Sequence, residues 1–246
     1  MALKLSIITC TYNSMPLLDK CVTSVNSALD CFDQPLEWII VDGKSTDGSL
    51  DAVTSCHKVR KFSRPPGGIY DALNFGVSVA EGEFVAYVHS DDEIDSGFFR
   101  SSRLLHDRAD PRINCEYGKV TFIDAGSETL YSRYPPVFSE VLNRRTNHIF
   151  HPNAIWRRSH ELAHNYRLNV GPQADWHHTR ELPRSSVLRN SEMEYLFRIS
   201  AASTTRNNVL DHKMFPMWNL LLLPYETQIL KRISRRLRRK TGYWTS

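Results

Sequence analysis

The chain has little of what would staple, span or extend a fold. Its five cysteines, at positions 10, 21, 31, 56 and 115, are odd in number and contain no C-x-x-C pair. That excludes a disulfide framework and a cysteine zinc site, and makes a reducing compartment the expectation. No apolar run approaches the roughly 20 residues that cross a bilayer; the richest, Met214 to Tyr225, is short and interrupted by Pro216 and Pro224. The opening, Met1-Ala-Leu-Lys-Leu-Ser-Ile-Ile, reads as a strand and not as a signal peptide. Neither GxGxxG nor GxxxxGK[ST] occurs, which argues against a Rossmann dehydrogenase and a P-loop enzyme. There is no internal repeat.

What is present is ordinary globular material. With 246 residues, 41% hydrophobic, and 31 basic against 27 acidic side chains, the chain is long enough to bury a core unaided and too balanced for disorder or a coiled coil. Charge is nevertheless uneven. Seven of the ten residues from Lys231 to Lys240 are Lys or Arg, and taking those seven away turns a net charge of +4 into −3.

Apolar periodicity in the first 110 residues alternates strands with helices. Strands are expected over residues 3–10, 36–41 and 83–89, and helices after Asn13-Ser14, over about 49–57 and over 69–80. A basic, proline-rich connection fills 61–68. This pattern predicts βαβ units and a parallel sheet, in which ligands sit at the carboxyl ends of strands. All three strands end in polar chemistry: Thr9 and Thr11, then Asp42, then Asp91 and Asp92. Adjacent aspartates after an apolar strand repel unless a cation lies against them, so Ser90-Asp91-Asp92 points to a hard divalent ion completed by phosphate oxygens. A solvated turn capping a helix near Ser96 is the plainer alternative. Downstream the expectations are strands over 117–124, 129–134 and 147–157 and short helices over 159–166 and 173–182.

Four segments occur in a telling order: Thr9-Cys-Thr-Tyr-Asn13, Val41-Asp-Gly-Lys-Ser-Thr-Asp-Gly48, Gly68-Ile-Tyr-Asp-Ala-Leu-Asn-Phe-Gly76 and Val88-His-Ser-Asp-Asp92. Together they closely resemble glycosyltransferase family 2 with the GT-A fold. The resemblance is dense over residues 3–110 and continues through His151-Pro-Asn153, Ala174-Asp-Trp176 and Phe197-Arg-Ile-Ser-Ala201. It implies an α/β, Rossmann-like, mostly parallel central sheet flanked by helices. Residues 1–212 would form the transferase domain, with 1–110 as the nucleotide-sugar half and 111–212 as the acceptor half.

The resemblance also implies roles. Thr9, Thr11 and Tyr12 would lie along the nucleotide base and Asp42 would accept a hydrogen bond from base or ribose. Asp71 and Asn74 would face the donor pocket. Asp91 would reach ribose or metal, Asp92 would bind Mn²⁺ or Mg²⁺, and Asp175 would be the base that deprotonates the acceptor hydroxyl. The implied activity is inverting transfer from a nucleotide-diphosphate sugar to a glycan or lipid-linked glycan. Two other classes compete: a non-catalytic nucleotide-sugar or glycan-binding module, and a zinc hydrolase suggested by His160-Glu-Leu-Ala-His164, which fits HExxH.

Residues 213–246 read as a separate apolar and basic tail. Ile229, Leu230, Ile233 and Leu237 share a helical face and cations cover the rest, the pattern of an amphipathic helix on an anionic membrane surface. The expectation is a cytoplasmic protein held peripherally at the cytoplasmic membrane face through residues 226–246. No nucleic-acid partner is expected, because no aromatic stacking platform accompanies the charge.

Overall fold

The computed structural model describes residues 4–106, 110–134, 136–144 and 149–199. The chain divides after Arg198 into two units, and the description concerns the first. The expected boundary at 212 and the basic tail lie outside the described residues.

The amino-terminal half follows the expected alternation. Strand β1 (Leu5–Thr11), helix α1 (Leu17–Asp30), β2 (Leu36–Asp42), the short α2 (Ser49–Ala52), β3 (Val59–Ser63), α3 (Ile69–Val79) and β4 (Phe84–Tyr87) come in that order. Strands β3, β2, β1 and β4 lie side by side and are all parallel. Both faces of this sheet are covered, which is why β1 and β2 are buried at every position and read as near-continuous apolar runs. Leu5, Ile7, Trp38 and Ile40 pack with α1 on one face, and Ile8, Ile39 and Val41 pack with α3 on the other. Helix α3 closes on β1 at Gly76, where a Cβ would lie 2.6 Å from the Ile8 Cγ2.

The second half weaves into the same sheet. It contains β5 (Glu93–Ile94), α4 (Arg103–His106), β6 (Cys115–Ile123), β7 (Thr129–Arg133), α5 (Glu140–Asn143), β8 (Ala154–Arg157), α6 (Arg158–Ala163), α7 (Ala174–Thr179) and β9 (Val187–Arg198). The strand order is β3-β2-β1-β4-β8-β6-β9-β5, with β7 on β6. Here β8 is antiparallel to both β4 and β6, while β9 runs parallel to β6.

Several sequence expectations change. The 61–68 connection contains part of β3, an edge strand whose Arg60, Lys61 and Ser63 hide the apolar signal. The helix expected over 49–57 stops at Ala52, and no helix starts near Ser96, where the chain makes turns. The strand expected over 147–157 is a 3₁₀ turn at His151–Asn153 followed by β8. The twelve-residue β9 has no counterpart among the expected elements; its mixed run, with Arg189, Asn190 and Glu192 amid apolar residues, follows neither period cleanly.

Candidate functional site

The β1 and β2 ends form one lip. Their parallel register sets Thr11 beside Asp42, and the Thr11 hydroxyl donates to Asp42 Oδ1 at 2.8 Å. The other carboxylate oxygen accepts the Ser45 N–H at 3.0 Å. Asp42 is buried, so it acts from beneath the loop it organises. Two strand-following loops are then stitched together: Asn13 N–H donates to Ser45 Oγ and Thr46 N–H to Asn13 Oδ1, both at 2.9 Å, and Met15 N–H donates to Asp47 Oδ2 at 2.9 Å. Asn13 and Lys44 hold positive φ in these turns, a conformation uncommon outside glycine. Tyr12 stands out of the lip, 60% exposed, with its ring edge against Gly43, where a Cβ would come within 3.0 Å of Tyr12 Cδ2. Thr9 departs from expectation. It is fully buried and its hydroxyl accepts the Trp38 indole N–H at 3.0 Å, so it belongs to the core under α1.

Helix α3 brings two expected residues. Asp71 Oδ2 lies 3.3 Å from Arg64 Nη1, and the guanidinium covers the Phe75 ring at 4.5 Å, which fixes this pair beside the lip. Asn74 has a different task from the one expected. Its amide pairs reciprocally with the Tyr166 backbone, Nδ2 donating to the carbonyl and Oδ1 accepting the N–H, both at 2.9 Å. Both ends of its side chain are thereby used to fasten the Tyr166 segment to α3.

After β4 the two adjacent aspartates diverge. Asp92 is buried, with Oδ2 accepting from the Tyr195 hydroxyl at 2.9 Å and Oδ1 from the Arg198 N–H at 2.7 Å. Burial, then the Asp91 charge, pushes its carboxyl up, against the pull of those two donors. Asp91 is half-buried, and its carboxylate has no hydrogen bond or ion pair among the described residues. The backbone carbonyl of Asp91 is held by Arg198 Nε at 2.8 Å. Arg198 itself is fully buried, donating also to the Asp124 carbonyl and ion-paired with Glu93. These anchors, Tyr195 and Arg198, lie about a hundred residues downstream, and no local pattern announces them. Ser90 Oγ lies 2.9 Å from Ser14 Oγ, which ties the aspartate turn to the β1 loop. Thus Thr11, Asp42 and Asp91 sit at the carboxyl ends of three neighbouring parallel strands, while Asp92 supports the turn from below.

The divalent ion expected here fits this arrangement through one residue. Mg²⁺ and Mn²⁺ take one or two carboxylates and complete their shell with phosphate and water; Asp91 offers an uncommitted carboxylate, and Asp92 does not.

Asp175 opens α7. It accepts the Trp176 N–H at 2.8 Å and lies 3.5 Å from the Tyr70 hydroxyl of α3. Burial raises its carboxyl above the ordinary value, opposed by the Trp176 N–H bond, which suits a group that must take up a proton. The competing HExxH reading is disfavoured by orientation. Glu161 turns inward, 2% exposed, and is taken by the Tyr87 hydroxyl at 2.5 Å and His178 Nε2 at 2.7 Å. His164 is exposed, its Nδ1 2.9 Å from the His160 carbonyl, so no water-activating glutamate faces a His160–His164 metal.

Residues 6–160, more than half of the chain, match the family model described as Glycosyl transferase family 2. The chain belongs to glycosyltransferase family 2. A poly(ribitol-phosphate) beta-glucosyltransferase of Bacillus spizizenii is 37% identical over 101 residues, covering 38% of this chain and 16% of that protein. The chain spans a third or less of the curated relatives it matches. Staphylococcus aureus TarS 1–349 in complex with UDP-GlcNAc superposes with a TM-score of 0.63 at 18% identity, covering 98% of this chain and 75% of that one. A mannosyltransferase of Pyrobaculum calidifontis in complex with GDP-Man and Mn²⁺ gives 0.61 at 20% identity, covering 85% and 61%. At these identities the structural likeness establishes the GT-A fold.

Proposed function

We propose that the protein is an inverting glycosyltransferase that moves a sugar from a nucleotide diphosphate to a hydroxyl of a glycan or lipid-linked glycan. The observation that carries this is the convergence of Thr11, Asp42 and Asp91 at the carboxyl ends of three adjacent parallel strands. In this reading the base lies against Tyr12 and the loop that Asp42 organises, with Arg64 and Asp71 at its margin. Asp91 would hold Mn²⁺ or Mg²⁺, and the bound ion would supply positive charge to offset that of the departing diphosphate. The acceptor oxygen attacks the anomeric carbon as the bond to the diphosphate oxygen breaks, and Asp175 takes the acceptor's proton. A single displacement of this kind inverts the anomeric centre.

The relatives support the donor and acceptor classes: one neighbour is a complex with UDP-GlcNAc and one relative is named for a poly(ribitol-phosphate) acceptor. The basic segment 226–246 is proposed to hold the enzyme at an anionic membrane surface on the cytoplasmic side, where lipid-linked acceptors are made. Among the described residues no helix is long and apolar enough to cross a membrane. Two experiments test these proposals. Replacing Asp175 by Asn is expected to lower transfer by about 10² to 10⁴ with the melting temperature retained, and full activity would refute the role. Deleting 226–246 is expected to abolish co-sedimentation with anionic liposomes, and unchanged binding would refute the membrane role.

A further inference from the structure

Beneath the acceptor half lies a buried charge pair that the transfer reaction as described does not use. His178 Nε2 is 2.7 Å from Glu161 Oε1, and each side chain is 1% exposed. Glu161 Oε2 accepts from the Tyr87 hydroxyl at 2.5 Å. His178 lies three residues after Asp175 on α7, a spacing that puts two side chains on one helix face. Glu161 therefore ties the helix of the proposed base to β4, the strand that leads to Asp91.

We propose that the Glu161–His178 pair positions Asp175 electrostatically: Glu161 holds His178 as a cation, and that cation keeps the neighbouring buried carboxyl able to ionise. The inference rests on the assignment of Asp175 as the base. Facing His178 are Glu161 and His160 from α6, Asp175 on its own helix, Tyr166, and His151 beneath β4. Burial holds His151 and His160 below the ordinary histidine value, His160 at about 4, so neither adds a competing positive charge near neutrality. Burial likewise raises the Tyr166 phenol, which stays neutral. Burial pushes His178 down, but the Glu161 charge and hydrogen bond, with smaller help from the His164 backbone and the Asp175 charge, together raise it. Among the described residues, Glu161, His178 and Asp175 are charged groups of this cluster, and the charge of His178 opposes the upward push that burial gives Asp175.

A metal is the competing occupant, since His160, Glu161 and His178 each place a ligand atom within 4.8 Å of the others. One Glu161 oxygen is already taken by the Tyr87 hydroxyl at 2.5 Å, which leaves a single oxygen for either His178 or a metal.

The test is a carboxyl ¹³C NMR titration of aspartate-labelled full-length protein, with the Asp175 signal assigned by D175N. H178Q keeps a side-chain N–H donor for Glu161 but removes the cation, leaving a buried negative charge; the Asp175 midpoint is expected to rise by on the order of one pH unit. E161Q/H178Q removes both charges, and the midpoint is expected to fall back from that of H178Q yet stay above that of the unmodified protein; a complete return would show that the pair does not keep Asp175 ionisable. A purely structural role predicts a double variant no better than the single one, and that result, or an unmoved midpoint in folded H178Q, would overturn the proposal. So would stoichiometric zinc in the purified protein that H178Q loses. Full transfer activity in D175N would instead refute the base assignment and leave the titration intact.

Discussion

Asp91 and Asp92 are neighbours in the chain and opposites in circumstance: the Asp92 carboxylate is buried between the Tyr195 hydroxyl and the Arg198 N–H, while that of Asp91 is half-buried and has no hydrogen bond or ion pair among the described residues. Replacing each by Ala is expected to separate binding from folding. D92A leaves two donors unmet and a void, and is expected to cost about 1 to 3 kcal/mol in a denaturant titration. D91A is expected to keep the ligand-free stability and lose metal-dependent donor binding. Equal destabilisation by both would show that the two carboxylates share one role.

The contact between α3 and β1 leaves no room at Gly76, where a Cβ would meet the Ile8 Cγ2 at 2.6 Å. G76A is expected to destabilise the protein by about 1 to 3 kcal/mol through overpacking. Helix propensity alone would make the same substitution stabilising, so the sign of the change in urea midpoint decides between them.

Thr11 Oγ1 donates to Asp42 inside the lip. T11V preserves shape and removes that bond, leaving one acceptor oxygen of Asp42 without its partner. The expected loss is about 1 kcal/mol of stability and weaker nucleotide binding, read by calorimetry. Binding at full strength would place the base elsewhere.

His160 is held neutral, at about 4, chiefly by burial. Its folded value is lower than its unfolded one, near ~6.5, so below that pH the unfolded chain binds the extra proton and stability falls with acidification until the folded value is reached. Between pH 7 and pH 5 the urea midpoint of the unmodified protein is therefore expected to fall further than that of H160Q. Parallel declines would show that His160 is not the group that titrates.

Much of this was legible from the amino acids alone, for a physical reason. Strands covered on both faces must be apolar throughout, so the places where β1, β2 and β4 give way to Thr11, Asp42 and Asp91 stand out, and parallel pairing puts them on one edge. Roles fixed by distant partners were not legible. Nothing near Asp92 indicates that Tyr195 and Arg198 claim it, nothing in α3 shows that Asn74 serves the Tyr166 backbone, and Thr9 looks like a site residue until Trp38 is seen to bond it. Strand β3 was hidden because an edge strand tolerates the charges of Arg60 and Lys61. The HExxH alternative fails because a motif fixes spacing along a helix but not which side of the helix faces the core.

The most direct test of the proposed donor site is a thermal-shift panel of UDP, GDP, dTDP and CDP sugars, each with and without Mn²⁺, on the unmodified protein and on D91A. Ligands that prefer the native state raise the melting temperature. One nucleotide class is expected to stabilise the unmodified protein in a Mn²⁺-dependent way, with the metal dependence lost in D91A. No shift with any nucleotide sugar, or the same Mn²⁺-dependent shift in D91A, would contradict a donor site built at the ends of β1, β2 and β4.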